Sequence, residues 1–83
     1  MTVLKIRGSE GNLASASNVG FASLVRVLNN KTSVQVITQK NAGGTTLGTV
    51  TLAAGEVAYI SKKGDDTLTG AATSLAVSVA FAN

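Results

Sequence analysis

The stretch LAVSVAFA at residues 75–82 decides the fold. Its large residues are Leu75, Val77, Val79 and Phe81, and the small residues between them are Ala76, Ser78, Ala80 and Ala82. Successive side chains of a β-strand point to opposite faces of the sheet, so an alternation of period two over this length predicts a strand. We expect the large-residue face to point into a core, while the small-residue face packs closely against a neighbour or faces water.

Six other short segments show strand chemistry, each bounded by glycine, asparagine or aspartate. They cover residues 2–7, 22–28, 33–40, 45–52, 56–62 and 67–69. The segment 22–28 is apolar on both faces apart from Arg26, which indicates a central strand covered on both sides. Because 83 residues leave no room for a second core, we expect one domain over residues 1–83.

The turns between these segments indicate the architecture. Turn residues recur at 29–32, 41–44, 53–55 and 63–66. This spacing predicts an all-β fold, a single small antiparallel β-sandwich or barrel of about six to seven short strands. Residues 45–60 have the pattern of a hairpin across the 53–55 turn. Residues 8–19 are the least strand-like part, and we expect a surface loop there, with a single turn near 71–75.

The composition argues against catalysis. The chain has no His, Cys, Trp or Pro, and its carboxylates are Glu10, Glu56, Asp65 and Asp66. Most side chains that enzymes use for proton transfer, nucleophilic attack and metal binding are therefore missing. We expect a chain that is not an enzyme, with no catalytic residues, no metal site and no cofactor.

Two pairs of neighbouring residues have side chains that could bind a metal or act as a nucleophile and base. Asp65 and Asp66 lack the ligand spacing of a calcium site, so we expect an aspartate there to accept backbone N–H groups of a turn. Ser61 and Lys62 resemble a nucleophile and base, but neighbours on a strand point to opposite faces. Tyr59 alternates with Val57, which favours a core or interface position over a functional phenol.

The net charge of +3 is uneven along the chain. Residues 1–40 hold five basic residues and one acid, whereas residues 41–83 hold two basic residues and three acids. The basic residues are scattered without interleaved aromatics, which favours a mildly basic, solvated surface over a nucleic-acid site. An acidic protein partner also suits this charge. The N-terminal residues alternate and no apolar run is long enough for a membrane span, so we expect no signal peptide and no membrane partner.

The supply of large side chains is low for a domain of this size. The aromatic residues are Phe21, Tyr59 and Phe81, and much of the apolar content is alanine. Small domains with thin cores often gain stability by oligomerisation. We therefore expect association with copies of the same chain or with a larger partner.

Four segments add a family resemblance. They are LVRVLNN at 24–30, TLGTVTLAAGE at 46–56, ISKKGDDTL at 60–68 and VAFAN at 79–83. Their order, over residues 22–83, resembles small structural proteins in the virions of tailed bacteriophages, especially marine cyanophages. The resemblance implies a virion component made in the host cytoplasm, a head decoration or cement protein on the capsid surface. Its implied partner is the major capsid protein or another virion protein, and it carries over no catalytic residues.

Two other functions stay open on the residues alone. One is a host-surface or carbohydrate-binding module of a tail or fibre, although three aromatic residues are a poor supply of stacking platforms. The other is a β-barrel that binds single-stranded nucleic acid. For a docking protein, we expect contacts along residues 2–7, the 8–19 loop and the 29–32 turn.

Overall fold

The computed structural model describes residues 3–82, which form two antiparallel sheets. The strands are β1 (Val3–Ile6), β2 (Gly11–Asn12), β3 (Leu24–Asn29), β4 (Gln35–Lys40), β5 (Thr46–Leu52), β6 (Val57–Ser61), β7 (Thr67–Thr69) and β8 (Ser74–Ala82). The larger sheet has the order β1-β8-β3-β6, with β2 also paired to β8, and the smaller sheet has the order β5-β4-β7. The predicted all-β fold is confirmed, and its two sheets suit the sandwich alternative. β3 is central in its sheet as expected, but it is not covered on both sides, because only Val25, Val27 and Asn29 are buried.

The core lies between the two sheets. Its buried members are Leu13, Ala22, Val25, Val27, Ile37, Leu52, Leu68 and Ala76. Both sheets contribute because each strand turns one set of alternating side chains inward. None of these eight side chains is aromatic, so the core is aliphatic and small, as the composition predicts.

The prediction for the faces of β8 is wrong. Val27 lies opposite Ala76, and opposite residues of an antiparallel pair share a face, so the small-residue face of β8 points to the core. Val77 and Val79 are buried instead on the outer face of the larger sheet, at 7% and 4% exposure. Ala76 shares its core cluster with Ile37, Leu52 and Leu68 of the smaller sheet, and these larger side chains supply the core volume that β8 does not. Phe81 falls outside the described side chains.

The hairpin predicted for residues 45–60 is also wrong. β5 pairs with β4, whereas β6 pairs with β3, so the turn between them carries the chain from one sheet to the other. Asn29 at the end of β3 holds this turn, because its N–H donates to Glu56 O at 3.0 Å and its C=O accepts from Gly55 N at 2.8 Å. The alternation of residues 45–60 does not show whether β5 and β6 pair with each other or each with a different strand.

The residues 8–19 are only partly the loop that the sequence predicts. Arg7 N donates to Ser78 O at 2.8 Å and Leu13 N donates to Ser74 O at 2.9 Å, so residues 3–13 follow β8 along most of its length. β1 and β2 are two pieces of one edge strand, interrupted by a bulge at residues 8–10. Of the predicted strand at 2–7, Thr2 lies outside the described residues.

Candidate functional site

The acidic pair of the sequence belongs to a turn. Asp66 is buried, and its Oδ2 accepts from Lys63 N at 3.1 Å and from Gln39 Nε2 at 3.3 Å. Asp66 N also donates to Lys63 O, which closes the turn. The predicted turn role of this segment is confirmed, and the Asp66 carboxylate is committed to it.

Ser61 and Lys62 point apart, as strand geometry predicts. Ser61 is exposed, whereas Lys62 is 7% exposed and its Nζ donates to Lys63 O at 3.2 Å and Gly64 O at 3.0 Å. Burial lowers the pKa of Lys62, and the nearby charges of Asp66 and then Asp65 act against this shift. The ammonium group holds the carbonyls of the turn and is not placed to activate Ser61.

The remaining buried polar groups hold the loops at the opposite end of the sandwich. The Asn29 side chain donates to Ser33 O, Leu52 O and Ala53 O at 2.9–3.0 Å and accepts from Lys31 N at 3.1 Å. We call this group of contacts the Asn29 hub. Gln35 and Ser74 form a second buried pair, since Ser74 Oγ donates to Gln35 Oε1. Within residues 3–82, every buried side-chain nitrogen and oxygen has a hydrogen-bond partner.

The surface offers a different kind of candidate on the outer face of the larger sheet. Leu4 and Ile6 of β1 share this face with Val77 and Val79 of β8, and together they line a groove of about 350 Å³. Arg26 closes one side of it, and its Nη1 lies 3.7 Å from Glu10 Oε2. Glu10 lies on the same outer face as Leu4 and Ile6 and lines the same groove.

The opposite side of β1 is basic. Lys5 and Arg7 alternate with Leu4 and Ile6, so both cations lie on the other face of this edge strand, and both are exposed. Within the described part of the chain, neither forms an ion pair with a carboxylate. Arg7 lines two small polar pockets, of about 260 Å³ and 180 Å³, beside Ser78.

A left-handed turn brings an aromatic side chain to the same place. Val19, Gly20 and Phe21 have φ angles of 52°, 66° and 58°. This conformation costs a residue other than glycine about 1–2 kcal/mol, and a β-branched residue adopts it rarely. Asn18 closes the turn by accepting Ala22 N through its backbone and Phe21 N through its side chain, both at 3.3 Å. Phe21 is 70% exposed and lines the smaller of the two Arg7 pockets.

The edge strand β1 and the turn at 18–21 together form what we call the β1 surface. It consists of Leu4 and Ile6 on one face of β1, Lys5 and Arg7 on the other face, and Phe21 beside Arg7. Ile6 and Phe21 are the most exposed large apolar residues of the described chain, at 74% and 70%. Apolar, cationic and aromatic groups together suit contact with another macromolecule.

The sequence predicts contacts along residues 2–7 and 8–19, and the structure places Arg7 of β1 beside the turn at 18–21. The 29–32 turn lies at the other end, in the Asn29 hub. Phe21 was missed as a contact residue. Its one signal is the neighbouring Gly20, since no pattern of Val and Phe indicates a left-handed turn.

No helix within residues 3–82 is long and apolar enough to cross a membrane. Comparison of the chain with protein-family models, curated proteins and solved structures finds no match.

Proposed function

We propose that this chain is a non-enzymatic structural protein of a tailed-bacteriophage virion, a capsid decoration or cement protein that docks on the major capsid protein. The β1 surface is the observation that carries the proposal. Ile6 and Phe21 are large apolar side chains that the fold leaves uncovered, and Phe21 lines a pocket together with the exposed Arg7. A partner that covers them removes apolar surface from water, which favours association.

The use of the buried polar groups supports docking over catalysis. Asn29, Lys62, Asp66 and the Gln35–Ser74 pair each hold a turn or a loop. A catalytic group must keep its reactive atom available to a substrate. The buried polar groups hold the fold together, and the apolar and cationic side chains of the β1 surface are the ones that remain available for contact.

A lattice also suits a small domain with a thin core. Each copy makes a modest contact, and repetition over the capsid raises the overall avidity without any new contact. Binding to the folded chain alone further stabilises it by mass action. A weakly stable module is therefore workable as a bound component.

The second edge of the larger sheet supports contact between copies. β6 carries no charged side chain, whereas charges are the usual protection of an edge strand. We include lateral association of neighbouring copies through β6 in the proposal.

The test is the protein content of purified virions from the phage that encodes the chain. Quantitative mass spectrometry is expected to find the chain at a copy number comparable to that of the major capsid protein. Absence from the particle, or a copy number that matches a tail component, contradicts the proposal.

A further inference from the structure

The backbone of β1 is open on the side away from β8. β1 is the last strand of the larger sheet, and among residues 3–82 it pairs with β8 and with no other strand. We propose that this edge accepts an extended segment of a partner protein in which acidic residues alternate with apolar residues. The inference deepens the docking role, and it rests on the proposed function only for the identity of the partner.

The hydrogen-bonding groups of the edge follow from the register. Arg7 N donates to Ser78 O, so Arg7 turns its backbone groups toward β8. In an antiparallel ladder this direction alternates, and Lys5, opposite Ala80, therefore also bonds to β8. The N–H and C=O groups of Leu4 and Ile6 consequently point away from the sheet. They are available to an added strand, the mode of binding known as β-augmentation.

The side chains of β1 select the chemistry of that strand. An added strand aligns its alternate side chains with the two faces of β1. On one face its residues lie beside Lys5 and Arg7, which have no carboxylate partner within residues 3–82. On the other face they lie beside Leu4 and Ile6, the wall of the outer groove. Acidic residues fit the first face and apolar residues fit the second.

The chain itself is a poor source of such a segment. Glu10 pairs with Arg26, Glu56 accepts from Ala53 N and Asp66 accepts from Lys63 N. These contacts occupy three of the four acids. A second copy paired through β1 places Lys5 and Arg7 of each chain beside those of the other, which is repulsive. The occupant is therefore a foreign acidic–apolar segment.

The bulge at residues 8–10 limits the length of the added strand. Beyond Arg7 the edge leaves its regular path, and the ladder to β8 resumes only at Gly11. An added strand thus pairs along β1 and little further. Such a contact is weak for one copy, and it gains strength when many copies bind one surface.

The test uses the full chain and a short capped peptide in which glutamate and valine alternate. Titration calorimetry measures its affinity, and amide hydrogen exchange followed by NMR locates it. We expect saturable binding and slower exchange at the Leu4 and Ile6 amides. Binding without protection of these two amides, or no binding, overturns the inference.

Matched variants and probes sharpen the result. Lys5→Glu is expected to weaken peptide binding about fivefold to tenfold, because an attractive cross-strand pair becomes repulsive. Lys31→Glu makes the same change on the exposed 30–33 loop and is expected to leave the affinity within about twofold. Equal effects of the two variants overturn the inference. So does a single-stranded oligonucleotide that displaces the peptide, because this outcome assigns the edge to polyanions in general.

The inference and the proposed function fail in different ways. If the chain is abundant in virions but the peptide does not protect β1, the inference fails and the decoration role stands. If the peptide binds at β1 but purified virions lack the chain, the decoration role fails and the edge remains a peptide site.

Discussion

The Asn29 hub and the β1 surface differ in burial and in backbone strain. At the hub, the buried side-chain amide of Asn29 donates to the carbonyls of Ser33, Leu52 and Ala53, and the Asn29 side chain is not exposed to solvent. At the β1 surface, Ile6 and Phe21 are mostly exposed, and Phe21 occupies a strained backbone conformation. The contacts of the hub stabilise the fold, whereas the exposed apolar side chains and the left-handed turn of the β1 surface lower its stability. Residues that a fold retains at a cost in stability are candidates for function.

The largest expected effect is the loss of the hub. Asn29→Ala leaves buried carbonyls such as Leu52 O without their donor, and we expect the free energy of unfolding to fall by about 3 kcal/mol. Asn30→Ala is the matched control, because Asn30 is exposed and bonds to Thr73 O through its backbone N–H. Urea denaturation measures both. Equal stability of the two variants contradicts the role of the hub.

The second effect is steric and lies beside the hub. A Cβ at Gly70 would lie 2.7 Å from Ser74 Oγ and 2.8 Å from Ile37 Cδ1. Ser74 cannot move freely because its hydroxyl is bonded to Gln35. Gly70→Ala is expected to destabilise the chain by about 2 kcal/mol. Gly48→Ala, where a Cβ meets nothing within 4 Å, is expected to be close to neutral in the same denaturation experiment.

The third effect has the opposite sign and concerns the β1 surface. Asparagine tolerates the left-handed conformation better than phenylalanine, and the side chain of Phe21 is mostly exposed. Phe21→Asn is therefore expected to raise the free energy of unfolding by about 1 kcal/mol while it weakens docking on capsids. Thermal unfolding and capsid co-sedimentation measure the two properties. A variant that loses stability, or one that docks as well as the wild type, contradicts the assignment.

The smallest effect is the pH dependence contributed by Lys62. Burial lowers its pKa in the folded chain below the ordinary value of 10.5, so the unfolded chain holds more protons between these two values. The contribution of Lys62 to the free energy of unfolding therefore rises with pH between its folded and unfolded pKa values, and it is constant below the folded value. Lys62→Met removes the contribution. We expect the wild type to gain stability relative to this variant between neutral pH and 10.5, and parallel pH profiles contradict the shift.

Much of the local structure is predictable from short-range patterns. β7 occupies the predicted residues 67–69, and the turns at 41–44 and 63–66 lie where asparagine, glycine and aspartate place them. Partner choice is not predictable in this way. Residues 45–60 do not pair with each other, because β5 joins β4 and β6 joins β3, and the backbone bonds of Asn29 with Gly55 and Glu56 hold the connection between the two sheets.

Only the β1 part of the β1 surface is predictable from the sequence. The alternation of Leu4 and Ile6 with Lys5 and Arg7 is visible in the sequence and indicates an edge with one apolar and one basic face. The position of Phe21 is not, because its left-handed turn opposes the intrinsic preference of the residue. Asn18 closes this turn locally, while the pairing of Ser17 with Leu68 and the packing of Val19 against the core tie it to residues distant in the sequence.

The most direct test of the docking role is an electron cryo-microscopy reconstruction of the assembled phage particle. The account predicts density for this chain at repeated positions on the capsid, with Ile6 and Phe21 covered by capsid protein and an extended capsid segment alongside β1. A particle without this density, or one in which the β1 surface faces solvent while another face meets the capsid, contradicts it.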